Sequence, residues 1–596
     1  MRRRRFAFDP ERHAPALRAI LAEFAALPAP DARRLDAIVR RHPKPGGLFS
    51  RSELIAGARH LAAVGDLADA DALVARLRLR PVRTQSGVTP VTVLTRPHPC
   101  PGACIFCPSD VRMPKSYLAD EPGAQRAEDN AFDPYLQTWS RLAAYRATGH
   151  PVDKVELSVL GGTWSAYPEA YQVWFVLRCL EAMNEFGAGE DGRARAAAAP
   201  ARYREIGERV VGRAGEPGAY NRIVGGFVAR ELGDGWLHAS ERAGWEELLR
   251  AQRANEAAAV RCIGLALETR PDAVTAEEVL RLRRLGATRI QLGVQSTDDA
   301  VLRRNRRGHD VASTRRAFQA LRGAGFKLHA HWMPNLLGAT PETDLSGFAA
   351  LFADEALRPD ELKIYPCLLV ESAELARYHE RGEWRPYGDA ELVELLAACL
   401  EATPEWCRVT RVVRDFSAAE IAAGTRRANL RQDAERALAA RGVAPREIRS
   451  REIRGRALDP AALRLREIAY ATSLGRELFL EWSTPEGWLA GFLRLALPAA
   501  PAALPELAGS ALLRELHIYG ATLELGRRPT GEAQHRGLGR ALVARAAERA
   551  AQVGYRDLAV ISGVGTRVYW RRLGFRDGAL YQHLALAVPA GEAQTS

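Results

Sequence analysis

The sequence predicts an α/β protein: a partial (βα)6 barrel, preceded by a helical, basic N-terminal region and followed by a smaller α+β domain. Three observations carry this expectation. Between residues 91 and 369, six short apolar, β-branched runs alternate with helical stretches, the pattern of a parallel sheet. Before them, residues 10–80 repeat apolar side chains at helical spacing. After residue 460, strand signals return around one long amphipathic helix. At 596 residues the chain is long enough for two to four domains.

In order, the N-terminal helices are marked by Leu17, Ile20, Leu21 and Phe24, and again by Leu54, Ile55 and Leu61. Residues 1–80 hold 16 Lys and Arg against 9 Asp and Glu, so +7 of the chain's net +12 lies there. A cationic end of this kind can track a phosphate backbone; its plainer reading is a solvated face. No apolar core follows Arg2–Arg5, which argues against a secretory signal, and no run reaches the roughly 18–20 apolar residues of a membrane helix. Hydrophobic content of 47% with 26% charged residues excludes wholesale disorder. Eight cysteines make no disulfide scaffold, and three of them are spaced as metal ligands that need reduced thiols, so a cytoplasmic location is expected. Only five lysines occur, Lys44, Lys115, Lys154, Lys327 and Lys363; in so Arg-biased a chain, each suggests a position that needs a compact ammonium.

The six barrel strands are expected at Val91–Leu94, Val155–Leu160, Cys262–Leu267, Arg289–Val294, Lys327–Trp332 and Glu361–Leu369, with helices such as Thr275–Leu285 and Val311–Ala324 between. Chemistry in such folds gathers beyond the C-terminal strand ends. Residues about 187–245 break the rhythm and read as a partly helical insertion. The expected divisions are 1–80, 81–398, an Arg-rich helical connector at 399–458, and 459–596, whose strands fall at Glu477–Trp482, Trp488–Leu497, Ala511–Tyr519 and Asp557–Ile561.

The segment Pro99-Cys100-Pro-Gly-Ala-Cys104-Ile-Phe-Cys107-Pro108 follows the first strand. Three thiolates at this spacing can hold three irons of a 4Fe–4S cluster and leave the fourth open to chelate S-adenosylmethionine, the arrangement of a radical SAM barrel. Zinc, with His98 as a fourth ligand, is the alternative, although structural zinc more often uses two CxxC pairs. The other strand ends add cofactor-binding candidates. Gly161 and Gly162 let backbone approach a ligand. Glu268 and Arg270, two residues apart on a strand, share a face and could meet a ribose or amino group and a carboxylate. Gln295 ends the next strand. Each alone could equally be a helix cap or a buried ion pair.

In the last domain, Gln534-His-Arg536-Gly537-Leu538-Gly539-Arg540 opens a helix, where backbone N–H groups and the helix dipole suit a pyrophosphate. The order of strand, loop, helix and strand is that of a GNAT-type acyl-CoA-binding α+β domain. Such domains commonly place a late tyrosine near the thioester sulfur; Tyr569, beside Trp570, is the candidate acid here, with a core aromatic as the plainer reading.

A radical cluster and an acyl-CoA domain on one chain resemble the catalytic subunit of Elongator in its stand-alone bacterial or archaeal form. The resemblance spans nearly the whole chain outside 187–245. It rests on Cys100, Cys104 and Cys107; Pro114–Tyr117; Val152–Glu156 with Gly161–Thr163; Glu268–Asp272; Gly293–Ser296; Asn305–His309; Met333–Leu336; Lys363–Pro366; Glu515–Gly520; Gln534–Gly539; and Ile561–Thr566. It implies modification of the wobble uridine of tRNA through a 4Fe–4S cluster, S-adenosylmethionine and acetyl-CoA. The deoxyadenosyl radical takes a hydrogen from the acetyl methyl, the carbon radical adds to C5 of uracil, and thioester hydrolysis leaves 5-carboxymethyluridine. By position, Lys154, Glu515, Leu516, His517, Ile518, Leu538, Gly539 and Arg540 are then acetyl-CoA contacts, and Lys327, Glu515, His517 and Tyr569 the catalytic candidates. The expected partner is tRNA, through its anticodon stem-loop, with no membrane; a homodimer is permitted and not demanded. Two departures stand out. Trp570 replaces the second tyrosine of many relatives, and the connector lacks cysteine, so no zinc is expected there. Glu515 could alternatively be the base of a protein lysine acetyltransferase whose cluster is only structural.

Overall fold

The computed structural model describes residues 8–28, 32–78, 84, 87–197, 219–232, 238–454, 456, 459–519 and 537–587. Strands β1 (Thr89–Leu94), β2 (Lys154–Leu160), β3 (Arg261–Thr269), β4 (Arg289–Gln295), β5 (Lys327–Trp332), β6 (Glu361–Ile364) and β7 (Arg408–Arg411) form one parallel sheet in sequential order. Its alternation explains the site. On β2, Val155, Leu157 and Val159 are buried toward the covering helices, while Glu156 and Ser158 point the other way. The barrel therefore has an apolar outer face, packed on helices such as Glu169–Ala188, and a polar, charged interior.

The partial barrel stands, with seven strands where six are expected. The seventh comes from the stretch read as a connector. It is four residues long with one fully buried side chain, Val409, too little apolar signal to read as a strand. The sixth strand ends at Ile364, five residues short of the expected run.

The N-terminal helices Ala14–Ala25, Ala32–Arg41, Arg51–Ala63 and Ala70–Leu77 close round their own core, with Leu17, Ile20, Leu21, Phe24, Leu54, Ile55 and Leu61 inside. Ser50 and Glu53 form a capping box that starts the third helix. Arg2–Arg5 lie outside the described residues.

The C-terminal sheet is mixed, in the order β13-β14-β12-β11-β10-β9-β8. It comprises β8 (Arg464–Thr472), β9 (Gly475–Ser483), β10 (Leu489–Pro498), β11 (Ser510–Ile518), β12 (Asp557–Val560), β13 (Arg576–Asp577) and β14 (Gln582–Ala585), with the helix Leu538–Gln552 packed on β9–β11. β12 runs parallel to β11, but only as far as Leu513; Glu515–Ile518 continue paired to β10 alone. The two strands therefore part beyond Leu513.

This domain seats itself against the N-terminal ends of the barrel strands. Its loop after β12 approaches so closely that a Cβ at Gly563 would lie 2.1 Å from the Ile263 carbonyl oxygen, and one at Gly565 2.6 Å from the Arg261 Cβ. A buried ion cluster ties the seam: Arg514 to Asp360 (2.5 Å) and Glu477 (2.8 Å), Arg322 to Glu477 (2.8 Å), and Arg494 to Glu515 (2.8 Å).

Candidate active site

The cysteine loop follows β1, at the C-terminal end of the sheet. Cys104 is buried, and Cys100 and Cys107 are half-buried. The loop surrounds their sulfurs with donors. Gly102 N–H lies 3.4 Å from Cys100 Sγ, and the Thr163 hydroxyl is 3.5 Å away. Arg307 Nη1 donates to Cys104 Sγ at 3.1 Å, with Arg270 Nη1 at 3.9 Å. A hydrogen bond from Cys107, aided by these two guanidiniums, draws Cys104 well below the usual thiol range; the Cys107 thiol that donates is pushed up. All eight cysteines are free. Among the described residues no three Cys, His, Asp or Glu side chains converge on one point. A four-iron cube does not require that, since each thiolate meets a different iron, and donors to the ligand sulfurs are what such a cluster uses. The three thiols and their donor shell fit the cluster. His98 packs against Tyr167, centroids 4.4 Å apart and rings tilted by 35°, with Nδ1 on its neighbour's carbonyl at Pro99 (2.9 Å), and burial pushes it down to about 4.

The other strand ends gather round this loop. Gly161 and Gly162 have φ of +140° and +88°, and the space beside them is filled by protein: a Cβ at Gly161 would meet Thr95 Oγ1 at 1.8 Å, one at Gly162 the Lys115 carbonyl at 3.3 Å. Glu268 accepts from the Tyr117 hydroxyl at 3.0 Å and faces His331 at 3.7 Å. Burial raises its carboxyl despite the nearby cation of Lys363. Arg270 is held by Asp272 (2.9 and 3.0 Å) and the Arg307 carbonyl, so its guanidinium rests over Cys104. Gln295 ends β4 with φ +71°, a conformation costly for a non-glycine residue, and its buried Oε1 has no partner. Of these residues, Gln295 is the one that visibly offers an unspent polar atom.

The barrel interior and the C-terminal domain enclose one cavity of about 730 Å3. At its lower end lie Glu515, Leu516 and His517 of β11, Tyr519 and Trp570; the barrel wall supplies Glu156, Arg289, Lys327, Glu361, Gln291 and Lys363. Lys327 bridges Glu515 (2.5 Å) and Glu361 (3.4 Å). Burial would lower Lys327, but the two carboxylates outweigh it and its ammonium is held charged. Burial would raise Glu515, but Lys327 and Arg494 hold it ionised below the usual carboxylate range. These two catalytic candidates thus neutralise one another across the domain seam. His517 is kept neutral by burial, and its Nε2 is buried without a partner. Its ring lies 4.4 Å from Tyr519.

Lys154 opens β2 opposite Arg261, at the barrel end where the C-terminal loop docks. Gly537 takes φ +79° and Leu538–Arg540 start the helix; a Cβ at Gly539 would stand 3.0 Å from the Tyr569 hydroxyl, with Leu516 and Ile518 at 3.7 Å. Tyr569 is 41% exposed, and Trp570 is buried against Phe575 (5.3 Å). Gln534 and Arg536 lie outside the described residues.

Sequence reasoning gave Arg307 no role on Cys104, and singled out Lys363 without its partners. Lys363 donates to Gln291 Oε1, and burial pushes its ammonium down to about 8. His329 and His331 stand beside it, neutral through burial. Inward-facing residues alternate with apolar ones on every strand, so nothing in the sequence separates them from ordinary exposed positions. Scarcity of lysine was the one usable signal for Lys363.

A parallel half-barrel with three cysteines after its first strand, seated on an acyltransferase-type mixed sheet, defines a radical SAM enzyme with a built-in acyl-donor domain. The profile of the Radical SAM superfamily matches residues 215–344, and that of the Radical_SAM C-terminal domain residues 359–440. The chain is 36% identical over 515 residues to a tRNA uridine(34) acetyltransferase of Dehalococcoides mccartyi, covering 84% of this chain and 99% of that one. It is 32% identical to Elongator complex protein 3 of Homo sapiens, covering 85% of each. A solved structure of archaeal Methanocaldococcus infernus Elp3, lacking residues 1–46, superposes with a TM-score of 0.65 at 32% identity, covering 84% of this chain and all of that one. The chain belongs to the family of tRNA uridine(34) acetyltransferases and Elongator complex protein 3.

Proposed function

We propose that this protein converts the wobble uridine of tRNA to 5-carboxymethyluridine, with acetyl-CoA as carbon donor. The observation that carries this is the shared cavity. It opens at one end on β11 of the acyl-donor domain and at the other on Gln291 and Lys363; Lys363 is the cation facing Glu268, which lies two residues before the Arg270 whose guanidinium reaches Cys104. Cys100, Cys104 and Cys107 would hold the 4Fe–4S cluster, and Gln295 and Glu268 offer polar contacts to S-adenosylmethionine. Together these cofactors supply a 5′-deoxyadenosyl radical when bound.

The chain's own residues then have distinct tasks. Lys154 and the N-terminus of Leu538–Gln552 suit the phosphates of the acyl donor. The unpartnered His517 Nε2 is suited to a polar atom of the thioester end. The Lys327–Glu515–Glu361 bridge fixes β11 against the barrel, so the donor strand and the radical side keep one geometry. Tyr569, at the helix start, flanks the same donor channel beside Gly539.

The N-terminal helices, with their excess of arginine, are proposed to hold the anticodon stem-loop. A cytoplasmic location is part of this reading, because the three cysteines of the proposed cluster need reduced thiols. No helix among the described residues is long and apolar enough to cross a membrane. A homodimer is compatible with this assignment and not required by it. Glu515, spent on Lys327 and Arg494, is a poor base for lysine acetylation.

The test is anaerobic reconstitution with iron and sulfide, followed by S-adenosylmethionine, acetyl-CoA and unmodified tRNA, with nucleoside mass spectrometry. The expected result is 5-carboxymethyluridine at position 34, abolished in Cys104→Ala. Protein acetylation that persists in Cys104→Ala, with no modified uridine from the parent, would overturn the assignment.

A further inference from the structure

The stretch expected to be an insertion contains a helix, Tyr220–Leu232, that reaches back about 120 residues in sequence to the cysteine loop. Its first turn grips that loop. Asn221 Oδ1 accepts from Cys100 N–H at 2.9 Å, and Asn221 Nδ2 donates to the Cys100 carbonyl at 2.7 Å. One side-chain amide thus satisfies both backbone groups of a cluster ligand, as a neighbouring strand would.

The grip extends to the far side of the loop. The Tyr220 hydroxyl donates to the Met113 carbonyl at 2.8 Å, and its ring lies 4.8 Å from Lys115 Nζ. That ammonium in turn donates to the Pro108 carbonyl at 3.1 Å, directly after Cys107. Tyr220, Val224, Phe227 and Val228 form with Val111 a small apolar cluster of their own, apart from the barrel core. The helix therefore touches the polypeptide at the first ligand and again beyond the last, on a small core it shares with Val111.

We propose that Tyr220–Leu232 is a brace for the iron–sulfur loop, with Asn221 the positioning residue that holds Cys100 in its ligating conformation. This rests on the assignment of the cluster to Cys100, Cys104 and Cys107. A backbone amide pair is costly to bury unmatched, so removing Asn221 frees the Cys100 peptide to turn toward water. The loop then keeps three thiols in sequence but no longer in register. Partners outside the first ligand shell commonly change metal affinity by 10–100-fold.

The experiment compares the parent, Asn221→Ala, Asn221→Asp and Arg230→Ala, an exposed control on the same helix. Each full-length protein is reconstituted anaerobically and assayed for iron and sulfide per chain, for visible absorbance of the cluster, for its lifetime in air, and for acetyl-CoA binding and the melting temperature of the cluster-free chain. Asn221→Ala should bind acetyl-CoA and melt like the parent, yet lose its cluster roughly tenfold faster in air and retain less iron. Asn221→Asp, which keeps the acceptor for Cys100 N–H and loses the donor, should fall between. Arg230→Ala should match the parent. Cluster content and lifetime in both Asn221 variants equal to the parent's would overturn the brace. A parent that takes up no cluster would instead overturn the assignment beneath it. Should Asn221→Ala melt early, the Asp variant decides: parent-like melting with a parent-like cluster lifetime also overturns the proposal.

Discussion

Lys363 is the residue whose chemistry is most sensitive to its surroundings. It is half-buried on the cavity wall, bonded to Gln291 and facing Glu268. With its ammonium pushed down to about 8, it is mostly charged at pH 7 and neutral by pH 9. If its charge balances Glu268 in the working site, turnover should fall as pH rises through about 8, and Lys363→Arg should abolish that fall while Lys363→Met lowers turnover at every pH. A pH profile of uridine modification measures this, with acetyl-CoA binding as the control. A second buried group acts on stability. Asp344 accepts from Asn335 N–H (2.7 Å) and the Tyr387 hydroxyl (2.8 Å), and burial raises it from 3.8 to about 6. The folded chain therefore prefers it protonated, so its contribution is fully present below about pH 4 and is lost as pH rises through 6. The loss is about 3 kcal/mol from a shift of roughly two units. Asp344→Asn should remove this slope and make the protein more resistant to denaturant at pH 7, where both hydrogen bonds can be kept; equal slopes in parent and variant would contradict it.

At the scale of elements, the seam between barrel and acyl-donor sheet is the feature with the largest energetic leverage. Arg514 is fully buried between Asp360 and Glu477. Removing it leaves two buried carboxylates short of a partner, which typically costs 3–5 kcal/mol. Arg514→Met should therefore lower the melting temperature and loosen β11 from Asp360 at the start of β6, weakening acetyl-CoA binding; an unchanged melt by calorimetry would contradict the seam's role. The elements themselves were unevenly legible. Strands β1 to β5 show in the sequence because their outer faces carry unbroken alternation of apolar residues against helices. β7 does not show, because four residues with one buried valine carry no periodicity. The seam was invisible for a different reason: no spacing in the sequence links Arg514, Asp360, Glu477 and Arg322, and only the fold brings them together. The cysteine loop showed by spacing alone, whereas its supports, Arg307 and Asn221, lie about 200 and 120 residues downstream with no local mark. Glu515 and Lys327 are candidates by their position in the family resemblance; their mutual ion pair is a tertiary fact.

At the scale of the molecule, the described parts serve one task in sequence. Four N-terminal helices on a separate small core dock beside the barrel, with Arg59 and Arg78 donating to the carbonyls of Arg146 and Gly149. Deleting residues 1–80 should leave the cluster and acetyl-CoA binding intact and reduce tRNA affinity. The salt dependence of that affinity should flatten by roughly 0.7–0.9 in logarithmic slope for each phosphate that the deleted helices had neutralised. Binding with an unchanged slope would remove the N-terminal helices from the RNA interface. The barrel and the acyl-donor sheet then share a cavity, which makes the central claim a statement about one carbon atom: the acetyl methyl is activated by the radical and ends on uracil. Trideuterioacetyl-CoA tests it most directly, given to the reconstituted enzyme with unlabelled S-adenosylmethionine and tRNA. The expected result is one deuterium in 5′-deoxyadenosine and two in the carboxymethyl group of uridine 34. Unlabelled 5′-deoxyadenosine beside a modified uridine, or a uridine adduct that retains all three deuterons, would contradict the account.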